Sequence, residues 1–185
     1  MFKNPLVRHT FLFGSLVGGV LILAALVFYF KDLSVNYNPN LTLINQFLMI
    51  SGIFLGVKKY RDEILFGVIN YKRAFTAGIL IIGFAACYYA MFIYVLTKFF
   101  DASIIQEAIN FAQKGLVQSG YEQKDVDLIM SIYKHITPGI FAFSMWLSKL
   151  FGGVLFSLVV AFFFRQKRNL FNKQSVDKFN ESNNQ

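Results

Sequence analysis

The chain has 185 residues, 56% of them apolar and only 15% charged, with 23 Phe and a formal net charge of +8. An average soluble domain carries about 25% charged residues, so water is not the solvent for most of this chain. Its apolar content excludes disorder, and a single Cys excludes a disulfide framework.

A helix rising 1.5 Å per residue needs about 20 apolar residues to cross a hydrocarbon core of roughly 30 Å. Residues 10–30 form the first uncharged run. Lys3 and Arg8 ahead of it imitate the basic start of a secretory signal. The run exceeds the roughly 7–15 residues of a signal's apolar core, however, and no small-x-small cleavage pattern follows it, so it is read as a retained span. The second run, 41–57, is the shortest at 17 residues and reaches span length by starting near residue 38. Residues 75–97 give 23 uncharged positions, and 138–164 give 27 positions interrupted by Lys149 alone. The predicted spans are about 10–30, 38–57, 75–97 and 141–164, in an all-α integral membrane four-helix bundle.

Cytoplasmic loops keep an excess of Lys and Arg, which orients the bundle. Lys3 and Arg8 precede the first span; Lys58, Lys59, Arg61, Lys72 and Arg73 lie between the second and third; Arg165, Lys167, Arg168, Lys173 and Lys178 follow the fourth. The alternate segments hold far fewer for their length: Lys31 in 31–40, and Lys98, Lys114, Lys124 and Lys134 spread over 98–137. Four crossings place all three basic segments on one side, which predicts a bacterial inner-membrane protein with both termini in the cytoplasm. The net charge is then explained by insertion, without nucleic acid as a partner.

Between the third and fourth spans the pattern becomes amphipathic. Ile104, Ile105, Ala108, Phe111, Ala112 and Leu116 recur at three- and four-residue steps on one helical face. A break follows at Ser119-Gly120, and Ser119 stands three residues before Glu122, the spacing of a capping box that starts a second helix. There Val126, Ile129, Met130, Tyr133 and Ile136 share a face. The expectation is an extracytoplasmic pair of helices, about 101–118 and 121–136. They either lie on the membrane surface and cap the bundle, or form a docking surface or lid. After the fourth span, residues 173–185 read as a flexible cytoplasmic tail.

Inside the spans, Gly14 and Gly18 are four apart, as are Gly52 and Gly56, while Gly78 follows Ala74. Small residues at this spacing let helix backbones approach, here within one bundle or against another subunit. Lys149 is the one charge in a span; counted from Arg165 it falls near the outer interface, and with Trp146 close by it reads as a snorkelling side chain. Asn45 and Gln46 read as partners in hydrogen bonds between helices, and Cys87 as a small apolar filler.

The constellations that carry enzyme chemistry, such as a P-loop, GxSxG or HExxH, are absent from the sequence, and His9 and His135 fall on opposite sides of the membrane. The densest polar cluster is Lys58-Lys59-Tyr60-Arg61-Asp62-Glu63. It reads as a topological anchor beside anionic headgroups, or as a phosphate site built from Lys59, Arg61, Lys72 and Arg73. Arg61 and Asp62 can also pair with each other or with a cytoplasmic partner. Beyond it Ile64, Leu65, Phe66, Val68, Ile69 and Tyr71 are apolar although the loop faces water, so the segment is expected to dip into headgroups or pack under the bundle. Gly67 permits a backbone turn there.

The run Gly56-Val57-Lys58-Lys59-Tyr60-Arg61-Asp62, then Gly67-Val68-Ile69-Asn70-Tyr71-Lys72-Arg73-Ala74-Phe75 and Gly78, resembles the signature of the domain-of-unknown-function family numbered 4199. The likeness extends over nearly the whole chain, although Asn70 and Lys72 stand where family members commonly show Ser or Thr and Gly. It implies a small four-span inner-membrane protein of the Bacteroidota, with no activity assigned to the family and some resemblance to neighbours of membrane glycosyltransferases.

The function expected from all this is a non-catalytic accessory or scaffold protein that docks a partner through its cytoplasmic loop or outer helices. The contact set is Lys58, Lys59, Tyr60, Arg61, Asp62, Gly67, Lys72 and Arg73. The alternatives are an accessory subunit of a glycosyltransferase, a carrier for a small or lipid-linked solute, and a lipid-modifying enzyme using Arg61 and Asp62. No cofactor or metal is expected; the expected partners are membrane lipids and either a second membrane protein or another copy of the chain.

Overall fold

A computed structural model describes residues 4–31 and 38–164. Lys3, the basic residues from Arg165 onward and the expected tail lie outside the described residues.

Helix α1 spans Pro5–Tyr29 and α2 spans Pro39–Lys59. Both start on the same device: Asn4 and Asn38 accept the first free N–H groups on their side-chain oxygens, and a Pro at the first helical position has no N–H to satisfy. α2 runs directly into a π-helical turn, Tyr60–Ile64. α3, Tyr71–Val95, is capped by Asn70, which accepts the Arg73 N–H at 3.0 Å, and continues into a second π-helical turn, Leu96–Phe100. After the short helices α4 (Ser103–Gln118) and α5 (Gln123–Tyr133), α6 covers Pro138–Phe164. The described residues contain helices and no strand.

Four of these helices are long and apolar enough to cross a membrane, and the protein is a multi-pass membrane protein. α1, α2 and α3 begin before their uncharged stretches, and α2 and α3 also continue past them into the π-helical turns, whereas α6 coincides with its run. An apolar run marks only what lies in hydrocarbon, whereas the helix continues through the interface until a cap ends it.

α3 is the centre. It packs along both α1 and α6, and α2 lies across all three. Lipid tails offer helices no hydrophobic reason to associate, so contact depends on how closely backbones approach. A methyl group added at Gly14 would sit 2.6 Å from Phe84 Cβ and 2.8 Å from the Ile81 carbonyl oxygen. At Gly18 it would meet Ala85 backbone, at Gly52 Val17, at Gly56 Ile81 and Phe13, at Gly78 Ser157 and Ile53, and at Gly153 Ile82. All these glycines therefore lie at contacts inside the bundle, whereas Gly19 and Gly152 have nothing within 4 Å.

The hydroxyls of Thr10, Ser15, Thr76 and Thr97 donate to carbonyls one turn back, so each is satisfied within its own helix. Other polar residues depart from expectation. Asn45 is buried, but its Oδ1 has no hydrogen-bond partner, and Gln46 is exposed; the helix-to-helix bonds expected of them are not formed. Cys87 is exposed on the outside of α3, where it fills nothing. Lys149 does not reach for an interface, because its ammonium lies 4.0 Å above the ring of fully buried Tyr89. Lys149 is the twelfth of the 27 residues of α6.

The amphipathic pair is present. Ile104 and Ala108 of α4 join the main core, while Val126 and Met130 are the buried residues of α5, which packs on α4. Phe111, expected on the buried stripe, is exposed. The expected capping box is not formed. Ser119 instead closes α4, its hydroxyl donating to the Gly115 carbonyl at 2.8 Å, and Glu122 occupies the cap position of α5 without a side-chain bond. Gly120 decides this: with φ at 82° it takes the left-handed conformation that lets Tyr121 and Gly120 N–H groups bond back to Leu116 and Val117. Ser119, with φ −79° and ψ 0°, closes α4, and a capping box needs it extended.

Gly14→Ala is expected to destabilise the bundle by about 1–3 kcal/mol, since two rigid neighbours must move, while Gly19→Ala leaves stability unchanged. Thermal unfolding in detergent, followed by circular dichroism, separates the two.

Candidate docking site at the basic end

The polar residues singled out from the sequence lie at the end of α2, in the π-helical turn after it and at the start of α3. Lys58 and Lys59 close α2, where a positive charge complements the carbonyl end of the helix. Tyr60 turns inward and is buried. Arg61 places its guanidinium 5.0 Å above the ring of Phe164 at the end of α6 and its Nε 2.6 Å from Asp62. Lys59 pairs with Glu63 at 3.5 Å and lies over Phe13. These are largely exposed pairs, worth well under about 1 kcal/mol each, so they orient the turn more than they stabilise it.

A residue outside the expected set ties the turn to the bundle. His9 of α1 is buried, and its Nε2 lies 3.0 Å from the Gly56 carbonyl oxygen. A carbonyl only accepts, so Nε2 is the protonated nitrogen. The imidazole stacks on Phe13 at 4.8 Å and leans on Tyr60 at 5.5 Å. Gly56 makes this possible, because no side chain separates its carbonyl from α1. In the sequence, His9 was visible only as a residue beside a basic terminus; nothing in its spacing points to residue 56.

The loop from 64 to 70 divides the apolar residues that looked alike in sequence. Ile69 is buried, and Ile64, Leu65 and Tyr71 pack against the core. Phe66 is 89% exposed and Val68 is exposed beside it. Phe66 is also the one non-glycine residue with positive φ among the described residues, at 52°, followed by Gly67 at 88°. The backbone holds this shape through Leu65 N–H to Tyr60 O at 3.3 Å and Gly67 N–H to Arg61 O at 2.9 Å. A left-handed conformation costs a side-chain-bearing residue about 1–2 kcal/mol, and here the neighbouring anchors impose it.

Lys72 and Arg73 are exposed on the first turn of α3, where positive charge opposes the helix dipole. Their placement brings helix stability nothing, which leaves them available to an anionic group. The four cations proposed as a phosphate cradle do not act alike. Lys59 and Arg61 are engaged by Glu63 and Asp62, whereas no ion pair is formed by Lys72 or Arg73 among the described residues. The described residues contain no cluster of metal-ligating side chains.

The site thus combines an apolar tip, Phe66 and Val68, with exposed cations on the helices that flank the loop, Lys58 at the end of α2 and Lys72 and Arg73 at the start of α3. The family model described as "Protein of unknown function (DUF4199)" matches residues 12–166, which include the whole of this loop. No curated protein and no solved structure matches the chain.

Replacing His9 with Leu removes a buried hydrogen bond worth about 1 kcal/mol, so amide exchange at Leu65 and Gly67 is expected to quicken by roughly fivefold. Hydrogen exchange read by mass spectrometry checks it, with α6 amides as the unaffected reference.

Proposed function

The chain belongs to the DUF4199 family, and from its geometry we propose that it is a non-catalytic accessory or scaffold protein of a bacterial inner membrane, docking a protein partner through the loop between α2 and α3. The observation that carries this reading is Phe66: an aromatic side chain held outward in a strained backbone, in a loop whose Ile64 and Leu65 pack against the core and whose Ile69 is buried. A loop with no outside contact relaxes by turning such a residue inward or replacing it with Gly. Phe66 and Val68 supply the apolar centre of the contact, and Lys58, Lys72 and Arg73 a basic rim that favours an acidic partner surface. The carrier alternative asks for a polar cavity at mid-membrane. The interior is mostly apolar, with Leu21, Ile53, Ile81 and Ile82 fully buried and polar groups such as Asn45 isolated among them, which favours docking over transport.

The proposed orientation puts the basic end, this loop and both termini in the cytoplasm, following the concentration of Lys and Arg at that end. The outer helices then project outside the cell membrane.

In mild detergent the full chain is expected to retain a stoichiometric companion protein. Phe66→Ala with Val68→Ser should reduce that companion about tenfold at unchanged yield and thermal midpoint. A companion held equally by the double variant, or a lone monomer, overturns the reading. For orientation, Phe66→Cys in a Cys87→Ser background should react with a membrane-impermeant maleimide only after the cells are opened; labelling of intact cells reverses the topology.

A further inference from the structure

Lys149 is a half-buried cation in the course of α6 that forms no ion pair among the described residues. It lies eleven residues, about 17 Å, from the start of α6 and fifteen from its end. All ten acidic residues of the chain fall outside the four apolar runs. The Tyr89 ring at 4.0 Å offers its electron-rich face, which holds the ammonium in place without neutralising it.

A second polar group without a partner lies in the bundle, on α2. Gly78 marks where α2, α3 and α6 meet, since a methyl group there would be 2.7 Å from Ser157 Oγ and 3.2 Å from Ile53 Cγ2. Asn45 is more than nine-tenths buried, and its Oδ1 lacks a partner. Beside Lys149 the surface of α6 is open: Ser148 is exposed, and a methyl group at Gly152, one turn on, would meet nothing within 4 Å. Two small residues four apart on an uncovered face admit the backbone of another helix.

We propose that Lys149 is the counter-ion for a carboxylate carried at mid-membrane depth by a transmembrane helix of a different protein, which seats along Ser148 and Gly152. An intramembrane charge is tolerated when paired, and Lys149 has no such pair among the described residues. The inference rests on the docking reading for the existence of a partner and names the chemistry of that partner's membrane segment, through residues remote from the loop.

The test uses the full chain in vesicles of phosphatidylcholine and phosphatidylglycerol, with a donor dye on Cys87. The probe is an acceptor-labelled poly-leucine transmembrane peptide carrying one central Glu, compared with its Gln counterpart. Energy transfer should show saturable association of the Glu peptide with the unaltered chain, about tenfold weaker for the Gln peptide and for Lys149→Met, and retained in Lys149→Arg. Equal association of both peptides, no association, or full association with Lys149→Met overturns the proposal. Displacement of the Glu peptide by a few mole per cent oleic acid also overturns it, by assigning the site to a lipid carboxylate. The Phe66→Ala, Val68→Ser variant should bind the peptide normally. If a companion depends on Phe66 while the peptide fails to bind, this inference falls alone; if the peptide binds and no companion depends on Phe66, the loop reading falls alone.

Discussion

Close approach of backbones around α3 is the constraint on which the rest of the structure depends. In lipid the burial of one more leucine brings helices no closer, because the tails it leaves are as apolar as the neighbour it meets. Glycines at 14, 18, 78 and 153 let α1 and α6 seat directly against α3, with Phe84, Ala85, Ser157 and Ile82 entering the space a side chain would occupy. The helix that is thereby most enclosed, α3, is also the one whose start carries the exposed loop and whose far half carries Tyr89.

The same device produces the site at the basic end. Gly56 brings its carbonyl within reach of His9, and the His9 ring then becomes a wall for Tyr60 and Phe13. A buried base of this kind lets the turn present Phe66 outward in a conformation that a free loop abandons. Backbone hydrogen bonds from Leu65 and Gly67 back to Tyr60 and Arg61 of the π-helical turn hold the tip in this shape.

Burial of polar groups divides the molecule into two kinds of position. Hydroxyls such as Thr10 and Thr97 are satisfied within their own helices and ask nothing of their neighbours. Asn45 and Lys149 are different: Asn45 Oδ1 has no hydrogen-bond partner, and Lys149 forms no ion pair among the described residues. Unsatisfied groups in a bundle that is otherwise largely apolar are where contact with something else has the most to contribute.

The four spans, the amphipathic pair and the polar cluster after α2 were all legible in the linear order of residues. Hydropathy over 20 positions, helical periodicity and the clustering of Lys and Arg are local properties that need no knowledge of which helix meets which. The family signature was legible for the same reason, being contiguous. What only the tertiary structure decided was pairing: His9 with Gly56, Arg61 with Phe164, Lys149 with Tyr89, and which of the loop's apolar residues turned inward. Each joins residues distant in sequence, and their meeting depends on helix register and rotation, quantities that a single strand of residues does not contain. Ser119 shows the same limit at short range. Its spacing to Glu122 suited a helix start, and the left-handed backbone of Gly120 made it a helix end.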